Sequence, residues 1–247
     1  VMTGFAFADV LTQVAPDYPD TKFAIIDMVV DAPNVRSVVF TEHEGSYLVG
    51  MLAGMATKTG GVSFVGGMDS PLIRRFGCGF AQGAKAVNYD AKIIMNMVGS
   101  DNTAWNDPTK ASELTKAQNS QGSDVVFAAA GGSGMGVIQA AQDGGFLSIG
   151  VDSNQNYMAP GSVLTSMIKR VDTAVFNAFS EGSDLTTGVN VMDLKSGGVG
   201  YSLDEFNASL ITEDMKARVD AAAEAIMAGS LIVHDYMSDD TCPAASF

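Results

Sequence analysis

The chain has 247 residues, 47% of them hydrophobic, and a formal net charge of −14. That is enough apolar material for one large or two small domains with real cores, and it excludes a disordered chain. The acidity excludes a nucleic-acid partner, whose phosphates demand Lys and Arg, and argues against docking on anionic membranes.

The opening run VMTGFAFADVLTQVAPDYPDTKFAIID reads as though a strand were already in progress. It then predicts an amphipathic helix over 7–15 and a strand over 22–27. No signal peptide is recognisable there, and no apolar run approaches the roughly 20 residues of a membrane span. Further strands are expected over 35–40, 62–66, 92–98, 124–129, 147–151 and 163–166. Helices are expected between them, over 43–58, 73–88, 108–121, 134–143 and 171–181. This alternation predicts parallel sheet with right-handed crossovers, as one doubly wound sheet or two smaller ones. After Gly182 the pattern changes to short strands around a Gly-rich turn, GVNVMDLKSGGVGYSL. A last helix follows, with Thr212 as N-cap, Glu213 and Asp214 at its positive end and Gly229 as its stop. FTEHEGSYLVG and LTSMIKRVD read as passages between two lobes, and a cleft between lobes commonly holds a small ligand.

Several stretches invite a chemical reading. In LSIGVDSNQ an apolar strand stops at Asp152, either because Asp-Ser-Asn starts a turn or because the strand end opens on a ligand. AAAGGSGMGVIQAA follows a strand and opens a helix, but Gly131, Gly132, Gly134 and Gly136 give neither GxGxxG nor Walker spacing. The turn is therefore a close-packed corner or a set of backbone N–H groups facing a ligand. Phe127, just before it, is core or ligand-facing. The sole tryptophan, Trp105, precedes a helix start at Asp107-Pro108 and is either a plug at the sheet edge or a stacking surface. Asp69 is expected to pair with Arg74 and Arg75 in a structural salt bridge. Cys78 and Cys242 either pair or stay free. His43 and His234 are too few for a zinc set, and no G-x-S-x-G elbow or convincing acid pair stands out. A binding module without metal or cofactor fits these residues better than an enzyme.

Taken in register, KFAIID, the run FTEHEGSYLVG through FAQGAK, WNDPTKASE, DVVFAAAGGSGMGVIQAA, IGVDSNQ and VLTSMIKRVDTAVF resemble the BMP family of basic membrane lipoproteins. These are substrate-binding proteins of ABC transporters, and they include PnrA-like binders of purine nucleosides. The resemblance implies an α/β type I periplasmic-binding-protein fold: two doubly wound lobes, three crossovers and a hinged cleft. The family's D-x-S-F-N motif is absent, so the first lobe is expected to lack its N-terminal portion. The implied division is a partial first lobe at 1–41, a second lobe at 42–168, and at 169–247 a return to the first lobe with a hinge-crossing C-terminal segment. The resemblance also implies residue roles. Phe127 stacks on the base, Asp152 accepts hydrogen bonds from ribose hydroxyls, and Lys169 supplies a cation at the same sugar. Gly132 brings its backbone to the ligand, Glu44 (failing that, Glu42) faces the base edge, and Trp105 aligns loosely as a second aromatic. The implied protein is a monomer that captures a nucleoside such as guanosine, adenosine or inosine and delivers it to an ABC permease. It would sit in the periplasm or on a lipid anchor at the outer face of the cell membrane. A binder of sugars or other small polar solutes, a nucleoside-processing enzyme and a ligand-sensing regulatory domain are the alternatives.

Overall fold

The computed structural model describes residues 1–247. The chain divides into two compact units, each assembled from two segments: residues 1–41 with 169–199, and residues 42–168 with 200–247. The expected 169–247 segment thus splits, and its part beyond residue 199 packs on the second unit.

In the first unit, β1 (Met2–Thr3), α1 (Ala8–Val14), β2 (Phe23–Ile26) and β3 (Val35–Phe40) precede the passage to the second. The β1–β2 and β2–β3 pairs are parallel. Alternation along β2 sends Ile25 to one face, where it packs with Leu11 of α1 and Val35. Ile26 goes to the other face, against Val38, Phe40 and Ala174. Buried Asn34 holds the turn before β3 by donating to the carbonyls of Ala15, Tyr18 and Thr21.

The second unit opens with α2 (Glu42–Ala56), β4 (Gly61–Met68), α3 (Pro71–Val87), β5 (Lys92–Gly99), α4 (Pro108–Ser120), β6 (Ser123–Ala129), α5 (Gly134–Gly144), β7 (Leu147–Asp152) and β8 (Val163–Lys169). Strand β8 runs on past the expected end at 166 to Lys169, its last residue. The chain re-enters the first unit through α6 (Val171–Glu181) and β9 (Gly188–Met192), which pairs parallel with β3. It then returns through β10 (Val199–Tyr201) to α7 (Glu213–Met227). The two sheets run β1-β2-β3-β9 and β10-β8-β7-β6-β4-β5, so the two-sheet alternative is the one realised.

Helix starts follow the local chemistry. Ser70, Asp107 and Thr212 each accept a backbone N–H as N-caps of α3, α4 and α7. Proline occupies the first turn of α3 and α4, where its missing N–H costs nothing. One face of the second sheet packs Phe64 and Phe127 against Phe76 and Phe80 of α3. On the other face Val65, Val126 and Ala128 meet Ala111 of α4 and Val137 of α5. Helices α2 and α3 lie so close that a Cβ on Gly83 would come within 1.9 Å of the Tyr47 carbonyl oxygen.

Cys78 of α3 and Cys242 form a disulfide that ties the C-terminal segment down. Gln82, one turn further along α3, donates to the His234 carbonyl and accepts from the His234 amide, both at 2.9 Å. Closing a loop of 164 residues removes much chain entropy from the unfolded state. Cys78→Ser with Cys242→Ser is therefore expected to lower unfolding stability by about 2–4 kcal/mol in denaturant titrations. An unchanged midpoint would mean that the Gln82 and Arg75 contacts alone fix the segment.

Buried Arg36 in β3 grips Glu181 through two hydrogen bonds of 2.7 and 2.5 Å and donates to the Thr186 carbonyl at 2.7 Å. The Arg36 guanidinium holds the Glu181 carboxyl down at about 2, against an ordinary 4.5. The unfolded chain therefore takes up this proton first as the pH falls. The stabilisation is complete above pH 4.5 and is lost as the pH drops towards 2. Glu181→Gln is expected to flatten that part of the stability profile, read from denaturant midpoints across the window.

Candidate functional site

The second sheet has a topological switch point between β4 and β6. The chain leaves β4 through α3 to reach β5 on one side, and leaves β6 through α5 to reach β7 on the other. Adjacent strands whose connections diverge leave a crevice at their carboxyl ends, the usual ligand position in open α/β sheets. Trp105 lies at this point, in a short 3-10 turn, Asn102–Asn106, that follows β5. Its ring rests on Gly67 near the end of β4 and on Gly131 just past β6. A Cβ at Gly67 would approach Cζ3 to 2.4 Å, and one at Gly131 would approach Cε3 to 3.4 Å. The indole is only partly exposed. The ring thus closes the sheet end against both glycines, and part of it stays exposed. Gly132 is exposed in the Gly131–Ser133 turn beside it.

Asp152 ends β7, the strand next to β6 on the same edge. It is exposed and adopts a left-handed backbone with φ of 66°, which Asp tolerates better than most residues. Gln155 sets the turn beyond it. Its Oε1 accepts from the Val151 amide, and its own amide donates to Ser166 Oγ, each at 2.9 Å. Asp152 therefore does start a turn, and the turn leaves its carboxylate at the open strand end.

Phe127 departs from the role expected of it. It sits mid-strand, in register with Phe64 and Ile149, and is fully buried. The rings of Phe64 and Phe80 lie 5.5 Å from it and that of Phe76 6.5 Å. Two residues short of its strand's end, the side chain points into a helix-covered face, so Phe127 is core.

Lys169 belongs to the first unit. Its side chain is almost completely buried, with Nζ 2.5 Å from Asp27 Oδ1, an ion pair by distance rather than an aligned hydrogen bond. Nζ also lies 5.0 Å from the Phe40 ring centroid, within reach of a cation–π attraction. Asp27 was not singled out from the sequence, although its signal was there. KFAIID ends an apolar strand on an acid as LSIGVD does, and Asp27 shares the left-handed backbone, with φ of 72°.

Glu42 and Glu44 occupy the first turn of α2. Glu42 is buried and receives Arg75 Nη1 at 2.9 Å, while Arg75 Nε donates to Asp235 at 2.7 Å. This guanidinium ties the start of α2 to the C-terminal segment, and it is Arg74 alone that pairs with Asp69, at 2.6 Å. Burial pushes the neighbouring His43 imidazole down to about 4, so it is neutral at ordinary pH. Glu44 is partly exposed.

Removing one partner of a buried ion pair leaves an uncompensated charge, which costs far more than removing both. Lys169→Met is expected to destabilise the protein by about 3–5 kcal/mol, and adding Asp27→Asn to restore most of that loss. Additive costs in thermal and denaturant unfolding would mean that the two groups do not interact.

Comparison with known proteins agrees with this architecture. The sequence profile of the Bmp family, described as the PnrA-like substrate-binding proteins of ABC transporters, matches residues 1–235. The ABC transporter nucleoside-binding protein BmpA of Lactococcus lactis subsp. cremoris is 34% identical, over 88% of this chain and 67% of its own length. Basic membrane protein D of Borreliella burgdorferi is also 34% identical, over 82% of this chain and 61% of its own. The chain thus spans about two thirds of the length of these relatives. Among solved structures, an ABC transporter solute-binding protein from Aeropyrum pernix superposes with a TM-score of 0.84 at 26% identity, covering 96% of this chain and 78% of the other. The two α/β units are therefore those of a type I periplasmic-binding-like fold, and the chain belongs to the Bmp family of PnrA-like ABC transporter substrate-binding proteins.

Proposed function

We propose that this protein captures a nucleoside, a purine nucleoside foremost, outside the cytoplasm and hands it to an ABC permease. The observation that carries this reading is the edge of the second sheet. A partly exposed indole sits at the switch point, and an exposed carboxylate ends β7, beside β6. A flat aromatic face suits a purine base. A carboxylate can accept from two adjacent hydroxyls through charge-assisted bonds, which suits a ribose. The Gly132 backbone and Glu44 offer further polar contacts. Lys169 lies in the first unit, where its side chain is paired with Asp27. Trp105 takes over the stacking role from buried Phe127. The nucleoside-binding relative from Lactococcus lactis supports the ligand class, and the Cys78–Cys242 disulfide supports an oxidising, extracytoplasmic setting. The protein acts as a monomer, and no bond in the ligand is made or broken.

The single tryptophan makes ligand binding directly visible. Guanosine is expected to change Trp105 fluorescence saturably, and to bind more tightly than deoxyguanosine, guanine or ribose. Asp152→Asn keeps the shape, exchanges an acceptor for a donor and is expected to weaken guanosine about 10- to 100-fold. Ribose binding as tightly as guanosine would replace the nucleoside reading with that of a sugar binder. Release of free base from inosine that survives further purification would make the protein an enzyme.

A further inference from the structure

The glycine-rich corner after β6 has a function that its motif does not announce. Ser133 in this corner is fully buried, and its hydroxyl is committed at both ends to one neighbouring loop. Oγ donates to the Ala104 carbonyl at 2.7 Å and accepts from the Asp107 amide at 2.7 Å. These two backbone groups bracket Trp105 and Asn106. The glycines around Ser133 leave room for the same loop. A Cβ on Gly136 would lie 1.9 Å from the Pro108 carbonyl oxygen, and one on Gly132 would lie 3.2 Å from the Trp105 carbonyl oxygen.

We infer that Ser133 is a positioning residue for Trp105: its hydroxyl buckles the indole-bearing turn to the end of β6 and so sets the plane offered to the ligand. The inference rests on the reading of Trp105 as the base platform. The GGSGMG run is then the seat of an aromatic loop, which accounts for a spacing that fits no phosphate-binding pattern. Ser133 also steadies the start of α4, because Asp107 caps that helix by accepting from the Lys110 amide at 2.9 Å. A purely structural Ser133 would do only this.

The test uses the full chain and its one tryptophan as reporter. Ser133→Ala leaves the Asp107 amide and Ala104 carbonyl without their partner. It is expected to raise acrylamide quenching and lower the fluorescence anisotropy of Trp105 without ligand, and to weaken guanosine about tenfold, the equivalent of one lost hydrogen bond. Ser133→Thr keeps the hydroxyl and is expected to restore both readouts. If Ser133→Ala does not fold, Ser133→Cys, close in shape but a much weaker donor, is read by the same measures. Gly67→Ala displaces the ring while leaving the Ser133 bonds alone, and is expected to weaken guanosine as well. Quenching and anisotropy unchanged in the Ser133 variant would overturn the inference. So would a freed indole that still binds guanosine with wild-type affinity, because Ser133 would then serve only α4. Wild-type protein that does not respond to guanosine would overturn the proposed function instead, since the ligand-free quenching contrast is measured independently of it.

Discussion

A parallel strand covered by helices on both faces has only its ends for polar chemistry. In the second sheet, α3 covers one face of the central strands β4 and β6, and α4 with α5 covers the other, so a side chain in the middle of β6 is committed to the core. That constraint sorts the candidate residues. Phe127 is inside the ladder and packs. Asp152, Asp27 and Lys169 stand at strand ends, where the ladder stops and the backbone can turn. Two of them, Asp27 and Asp152, adopt left-handed conformations there, so the strands end abruptly and the carboxylates leave the line of the sheet.

The buried charges follow the same economy. None of Arg36, Arg75 and Lys169 is left alone: Glu181, the Glu42 and Asp235 carboxylates, and Asp27 answer them in turn. In each pair the partners come from segments far apart in sequence, so each joins parts of the chain that local structure cannot bring together. Arg75 is the clearest case, joining the first turn of α2 to a segment beyond α7. At Asp235, burial alone would raise the carboxyl, but hydrogen bonding and charge from Arg75 outweigh it and hold it below its ordinary value. Removal of an ion partner would therefore be felt as an unpaired charge in a dry place, not merely as a lost surface contact.

Much of this was legible before any coordinates. Apolar runs and N-caps located nearly every strand and helix, because periodicity and capping are local properties. Thr212 caps the helix it was expected to cap, and α4 starts at Asp107-Pro108 as expected. Partnership between distant residues was not legible. Nothing local distinguishes Arg74 from Arg75, yet one meets Asp69 and the other Glu42 and Asp235. Phe127 was misjudged because distance from a strand's end depends on where the ladder stops, and the apolar run alone does not mark that. Trp105 was read as a plug at the sheet edge or a stacking surface, but its position over Gly67 follows from sheet order, which the strand sequence left open. Asp27 repeated the signature of Asp152 and could have been found by comparing strand ends with one another.

The disulfide also imposes an order of events. Cys242 follows Cys78 by 164 residues, and at typical synthesis rates that interval is roughly 10–30 s. During it, α3 can form and pack against α2, but the thiol it carries has no partner within its own chain. The same interval delays the Asp235 carboxylate that Arg75 awaits and the His234 backbone that Gln82 awaits. Until the C-terminal segment is in place, one face of α3 lacks its covering. Until Cys242 is available, the Cys78 thiol can cross-link only to another molecule's, and its bond to the short final segment removes that possibility.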